Sequence, residues 1–324
     1  MGIAEELKEI VLSGTDISRE EAIALWNSDI EELTKAADEI RKSFCGDCFD
    51  ICTIVNAKSG KCTEDCKYCA QSSHYQRADV QTYGLLSKSE LLKDAESNMK
   101  KGVLRYSIVT SGKALSDGEI DEVCESIRLI REKCGIEVCV SLGLLDECQF
   151  RKIKKAGASR VHCNLETSEK YFPKVCSTHT YEDKIKTIKA AKKAGLSVCS
   201  GGIIGLGETE KDRIDMIFTV KELGVKSVPL NFLNPIKGTP YENNSVVSDD
   251  EARRCAAVFR FIIPDAAIRL AGGRGIMEDK GRACFKGGAN AAISGDMLTT
   301  SGITVERDMK MIDELGFEVM IYNG

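Results

Sequence analysis

Three thiols stand in the run Lys61-Cys62-Thr63-Glu64-Asp65-Cys66-Lys67-Tyr68-Cys69, spaced C-x3-C-x2-C with an aromatic residue just before the third. Three thiolates hold three corners of a 4Fe–4S cube and leave the fourth iron without a protein ligand. An open iron can chelate a small molecule. A cluster closed by four cysteines, or a tetrahedral zinc site, offers no such position. Zinc fits an isolated pair of thiols better than this run, because no C-x2-C partner at zinc-site spacing follows it.

The spacing resembles the signature of the radical S-adenosylmethionine (SAM) superfamily. The resemblance implies that the open iron binds the amino and carboxylate groups of SAM, and that an electron from the cluster releases a 5′-deoxyadenosyl radical. Within that superfamily the chain is similar to the biotin synthase family from about residue 44 to about residue 300. The matching stretches are Asn56-Ala57-Lys58-Ser59-Gly60-Lys61-Cys62 and onward through Ser72, Val138-Cys139-Val140-Ser141-Leu142-Gly143, Asn164-Leu165-Glu166-Thr167-Ser168, Val198-Cys199-Ser200-Gly201-Gly202-Ile203-Ile204-Gly205-Leu206-Gly207-Glu208-Thr209, Asn231-Phe232-Leu233 with Lys237-Gly238-Thr239-Pro240, and Arg269-Leu270-Ala271-Gly272-Gly273-Arg274.

Each stretch also has a physical reading. The glycines of the 201–208 run let backbone approach a flat ligand, and Ile203 or Ile204 can pack on its face. The resemblance makes that ligand the adenine of SAM and places Gly202, Ile203, Ile204 and Tyr68 among the cofactor contacts. Asn164 and Glu166 are two apart on an expected strand and so face one side. A carboxylate there can accept from both ribose hydroxyls. The resemblance further implies that Asn164 and Asn231 hold the ureido ring of the substrate, with Lys58 in reach of it. An amide carries both donor and acceptor, which matches a cyclic urea. His162-Cys163 stand where the family commonly has Asn or His followed by His, so whether His162 faces the barrel mouth stays open.

The implied reaction inserts sulfur between C6 and C9 of dethiobiotin, with the sulfur drawn from a second iron–sulfur cluster. An alkyl C–H has no useful acidity, so no side-chain base can remove it and the cofactor carries that step. The family pattern for the second cluster is three cysteines and one arginine around a 2Fe–2S unit. Cys139, Cys199 and Arg269 match, but the remaining cysteine falls on Ser107, a poor ligand for a soft site. Cys52 stands where the family has a small hydroxyl residue lining the same space. Cys45 is expected as a fourth thiolate, with Cys48 a weaker choice. Four thiolates suit a four-iron cluster rather than a two-iron one. Arg269 then donates hydrogen bonds to the cluster instead of ligating iron. Cys124, Cys134, Cys148, Cys163, Cys176, Cys255 and Cys284 read as small hydrophobic residues. Two other readings compete. One is a different radical SAM enzyme, a hydrogenase-cofactor maturase or a carbon-skeleton mutase. The other is a non-enzymatic iron–sulfur carrier.

These residues need a scaffold that brings distant strand ends together. Short β-branched runs at 49–55, 103–109, 136–142, 160–165, 197–204, 227–231, 267–270 and 289–293 alternate with helical patterns at 88–101, 117–133, 145–156, 181–194, 209–224, 249–262 and 274–286. That alternation predicts an α/β fold, a (β/α)8 TIM-type barrel, with the thiol run just after the first strand where a barrel carries its active-site loops. The expected divisions are a helical N-terminal extension over 1–44, the barrel over 45–310 and a C-terminal segment over 311–324. Ser18-Arg19-Glu20-Glu21 reads as a capping box within the extension. The chain's 324 residues, 43% hydrophobic and 29% charged, suffice for one large core. Its net charge of −5 gives no electrostatic reason to expect nucleic acid or membrane. The opening residues lack a basic region followed by an apolar run, and fifteen cysteines in a long chain suggest metal ligation and reduced thiols in a cytoplasm. A flavodoxin or ferredoxin as electron donor and a homodimer complete the expectation.

Overall fold

The computed structural model describes residues 2–75 and 80–324. Helices α1 (Ile3–Leu12), α2 (Arg19–Trp26) and α3 (Ile30–Cys45) come first. Ser18 caps α2 as expected: its hydroxyl accepts from Glu21 N, and the Glu21 carboxylate accepts from Ser18 N. The apolar stripe Leu33, Ala36, Ala37 and Ile40 of α3 is buried and joins the main core. It packs on α9 (Asp249–Ile262), outside the barrel wall.

Strand and helix then alternate through β1 (Cys48–Lys58), α4 (Lys88–Lys100), β2 (Arg105–Thr110), α5 (Asp117–Cys134), β3 (Glu137–Ser141), α6 (Glu147–Ala156), β4 (Ala158–His162), α7 (Tyr181–Lys193), β5 (Ser197–Cys199) and β6 (Gly202–Ile204). After these come α8 (Glu210–Glu222), β7 (Ser227–Phe232), α9, β8 (Ala267–Leu270), α10 (Arg282–Phe285) and β9 (Ala291–Ser294). All pair in parallel in chain order, β5 and β6 share one position, and β9 returns to β1. The sheet is thus the closed eight-position barrel that the alternation predicts. Reciprocal caps at Ser87, Ser116, Asp146, Thr180 and Thr209 start five of the outer helices.

Three elements differ from expectation. The run 197–204 breaks into β5 and β6 because Gly201 lies flat against the carbonyl of Pro229 on β7, where any Cβ would collide. The fourth strand ends at His162, so Asn164 and Glu166 lie beyond it. There Leu165 N and Glu166 N both donate to Gly201 O, and Glu166 takes φ 71°. Over 274–286 a single helix gives way to a short turn at Arg274–Ile276 and the one-turn α10, separated by Lys280 and Gly281 at positive φ.

Helix α11 (Val305–Glu314) crosses the boundary expected at residue 310, and β10 (Glu318–Val319) pairs with the start of β1. The tail then reaches the floor of the barrel. Tyr322 N donates to Asp50 Oδ2 at 3.0 Å, and Asn323 Oδ1 accepts from Arg105 at 2.8 Å. The two faces of β1 follow the period of two. Phe49 and Ile51 enter the outer core, while Asp50, Cys52 and Ile54 face the barrel interior.

Candidate active site

One cavity of about 400 Å³ runs down the barrel axis from the carboxyl ends of the strands. Cys62, Cys66 and Cys69 line it from the loop that follows β1. Backbone bonds hold that loop: Cys62 N to Gln71 O at 3.0 Å, Ser73 N to Cys62 O at 2.8 Å, and Cys69 N to Cys66 O at 3.0 Å. All three thiols are free and half-buried. The donor set fits a three-thiolate iron–sulfur cluster with one face toward the cavity.

The wall beside these thiols is polar and satisfied. Asn164 Oδ1 accepts from Gly201 N at 3.2 Å, and its Nδ2 donates to Glu166 Oε2 at 3.4 Å. Asn231 Nδ2 donates to Gly202 O at 3.0 Å, and its Oδ1 accepts from Gly272 N at 2.9 Å. Backbone thus fixes both amides, and each keeps a second N–H and a second lone pair for a ligand. Burial, with the Glu166 carboxylate next, pushes the Tyr68 phenol well above its usual range and keeps it protonated. Lys184 of α7 also lines the cavity and has no hydrogen-bonding or ionic partner among the described residues. Burial opposes its charge, but Cys163, Glu166 and Cys66 outweigh that and hold it cationic. A half-buried ammonium that faces a cavity with no partner among the described residues calls for an anionic group on the ligand. Nothing in the sequence singles out Lys184, one of five lysines on α7.

Deeper in, Cys52 of β1, Cys139 of β3 and Cys199 of β5 line the same cavity and are buried. Ser107 is paired in register with Cys139, and His162 with Cys199. His162 therefore lies at the level of the thiols and lines the cavity, which answers the question its position raised. Burial raises the Cys52 thiol to about 12 despite Arg269. Burial acts the same way on Cys199, but a hydrogen bond from His162 and the charges of His162, Arg269 and Arg160 bring it down to about 6.

Beneath the thiols lies a charged floor. Arg269 Nη1 donates to Cys52 Sγ at 3.3 Å, and its Nη2 donates to Asp50 Oδ1 at 2.7 Å. Arg105 Nε donates to Asp50 Oδ2 at 2.9 Å. Burial would raise the Asp50 carboxyl, but Arg269, Arg105 and Arg160 more than offset it and hold the group at about 2. Three guanidiniums against one carboxylate leave a net positive floor, suited to an anionic thiolate cluster above it. Arg105 and Arg160 were missed in the sequence. Their signal was a lone charge inside an otherwise apolar strand, two residues before Ser107 and His162 respectively.

Five expected site residues lie elsewhere. Cys45 ends α3 outside the barrel, where its sulfur accepts from Arg260 Nη1 at 3.2 Å, so it is removed from the auxiliary ligand set. Lys58 pairs with Glu119 of α5 at 2.5 Å and does not line the cavity. The register of β1 against β2 shifts between Asn56 and Lys58, which turns the lysine out of the inward series. Ile203 faces the cavity, whereas Ile204 alternates into the core and is fully buried. Gly202 supports the wall from behind: a Cβ there would strike Met216 and the Glu166 carbonyl. Cys48 faces the Met320 carbonyl in the tail.

A parallel barrel with a three-thiol loop after its first strand defines a radical SAM enzyme. The chain matches the model of the Radical SAM superfamily over residues 57–220 and that of the Biotin and Thiamin Synthesis associated domain over residues 229–318. The crystal structure of methylornithine synthase superposes with a TM-score of 0.82 over 97% of both chains, at 17% identity, which speaks for the fold alone. The chain is 56% identical to the biotin synthase of Brachyspira hyodysenteriae, over 97% of this chain and 94% of that one. It is 55% identical to the biotin synthase of Akkermansia muciniphila, over 98% and 99%. The chain belongs to the biotin synthase family. No helix among the described residues is long and apolar enough to cross a membrane.

Proposed function

We propose that the protein closes the thiophane ring of biotin by inserting sulfur between C6 and C9 of dethiobiotin. The observation that carries this reading is two separate thiol triads, Cys62/Cys66/Cys69 at the mouth and Cys52/Cys139/Cys199 in depth, opening on one cavity. When bound, a 4Fe–4S cluster with SAM supplies the hydrogen-abstracting radical, and an auxiliary cluster supplies the sulfur.

The chain's own residues do the rest. Cys62, Cys66 and Cys69 hold the first cluster. Lys184 meets the SAM carboxylate, Glu166 accepts from the ribose hydroxyls, and Ile203 with Tyr68 packs on the nucleoside. Asn164 and Asn231 hold the ureido ring through their remaining donors and acceptors, which fixes the reacting carbons between the two triads. Cys52, Cys139 and Cys199 hold a four-iron auxiliary cluster, and Arg269 donates to it from the floor. The proposal also includes a one-electron donor of the flavodoxin or ferredoxin type, a homodimer, and a cytoplasm that keeps the cysteines reduced. Anaerobic reconstitution with iron, sulfide, SAM and a low-potential reductant tests the reading. Biotin and 5′-deoxyadenosine are expected together, both dependent on dethiobiotin. 5′-Deoxyadenosine formed without that dependence would point to another radical enzyme, and none at all to a carrier.

The ribose contact gives a separate prediction. Glu166→Gln replaces a charged acceptor by an amide and should weaken SAM binding by about 1–3 kcal/mol, roughly 5- to 150-fold. Equilibrium dialysis on the cluster-loaded protein checks it. Unchanged affinity would remove Glu166 from the ribose.

A further inference from the structure

Next to the first triad lies a cysteine that the reaction does not use. Cys176 follows the short turn Phe172–Lys174, and its sulfur is 3.8 Å from Cys66 Sγ. This is the one thiol–thiol hydrogen bond among the described residues. Two backbone segments are stitched together around it. Lys67 N donates to Val175 O at 3.0 Å, and Asp65 N to Thr178 Oγ1 at 3.1 Å. The Asp65 carboxylate in turn accepts from Ser177 N at 2.8 Å and Thr178 N at 3.1 Å. His179 Nδ1 stands 3.3 Å from Cys176 Sγ and 2.6 Å from Glu64 Oε2. Cys66 is partly exposed and lines the cavity, while Cys176 is buried behind it.

We propose that Cys66 and Cys176 form a redox modification site, a dithiol that closes to a disulfide when the cluster is absent and a low-molecular-weight disulfide is present. The two sulfurs are already in contact and both backbones are pinned, so closure asks for side-chain rotation rather than chain movement. The accessible thiol reacts first. The Cys66 sulfur attacks the small disulfide and releases one thiolate, leaving a mixed disulfide. The Cys176 sulfur then attacks Cys66 Sγ and releases the second thiolate. The two thiol protons end on the two released thiolates. Two protein thiols are oxidised and one small disulfide is reduced. The product removes Cys66 from the cluster's ligand set, so the site cannot reload until a thiol reductant reopens it. It also keeps Cys66 from the sulfinic and sulfonic acids, from which there is no simple return.

The test uses full-length protein stripped of iron by an anaerobic chelator, then treated with oxidised glutathione and alkylated. It reads the thiols themselves, so its failure is distinguishable from failure of the cluster assignment. Peptide mapping should find the Cys66 and Cys176 peptides joined in most molecules. Dithiothreitol should restore full iron loading at the Cys62/Cys66/Cys69 site, and omitting it should cut loading at that site at least fivefold. Cys176→Ser should instead retain a glutathione adduct on Cys66. The proposal is overturned if Cys66 pairs with Cys62 or Cys69, if Cys176 is alkylated as a free thiol, or if a retained zinc ion protects both sulfurs.

Discussion

Cys62→Ala should abolish SAM cleavage, with 5′-deoxyadenosine falling to the uncatalysed background. A cube held by two thiolates has two open irons in place of one, and SAM then has no single site that orients its sulfonium toward the cluster. The loop itself survives the change. It is held by Cys62 N to Gln71 O and Ser73 N to Cys62 O, both backbone contacts that alanine keeps. Cys62 is half-buried at the cavity mouth rather than packed in the core, so its truncation leaves no large internal void. The variant should therefore unfold within a few degrees of the parent while losing activity. Chromatographic assay of 5′-deoxyadenosine, with thermal unfolding followed by circular dichroism as control, separates the two effects. Near-normal cleavage would remove Cys62 from the cluster.

The thiol run and the barrel were legible because both are local. C-x3-C-x2-C is a spacing, and strand–helix alternation is a pattern of neighbouring residues. What escaped depends on contacts across the barrel. The break in the fifth strand comes from Gly201 meeting Pro229, and no window along the chain contains both. The run at 160–165 reads as a strand, on which a spacing of two would set Asn164 and Glu166 on one face. In the folded chain Gly201 draws the Leu165 and Glu166 amides away from the ladder. Cys45 looked close to the auxiliary site because it precedes Cys52 by seven residues. Gly46 at positive φ ends α3 and leaves Cys45 outside the wall, while β1 runs inward. Lys58 was lost to one register shift. Lys184, Arg105 and Arg160 gain meaning only from what faces them.

Cys52→Ala should remove the auxiliary cluster and with it biotin formation, while SAM cleavage persists. The sequence offers no cysteine at position 107, and the structure withdraws Cys45 from the cavity, so Cys52, Cys139 and Cys199 are the thiols that the strands bring to the cavity. Losing one leaves two thiolates against a serine and a histidine, a set too hard and too few for a four-iron unit. The floor should hold without the thiol. Arg269 keeps Asp50 Oδ1 at 2.7 Å, together with the carbonyls of Asp50 and Ala292, each at 2.9 Å. Mössbauer spectra of 57Fe-loaded protein that also lacks Cys62, Cys66 and Cys69 isolate this site. A four-iron signal is expected with Cys52 present and none with alanine there. A 2Fe–2S signal alone, or a cluster indifferent to Cys52, would contradict the ligand assignment.

The account rests most heavily on the deep triad as the source of the inserted sulfur. The direct measurement is a single turnover of protein reconstituted with 34S-sulfide, in buffer freed of loose sulfide, followed by mass spectrometry of the biotin formed. The account predicts product heavier by the label in the parent protein and no product in Cys52→Ala. Unlabelled biotin from the parent, or labelled biotin from Cys52→Ala at the parent's yield, would contradict it.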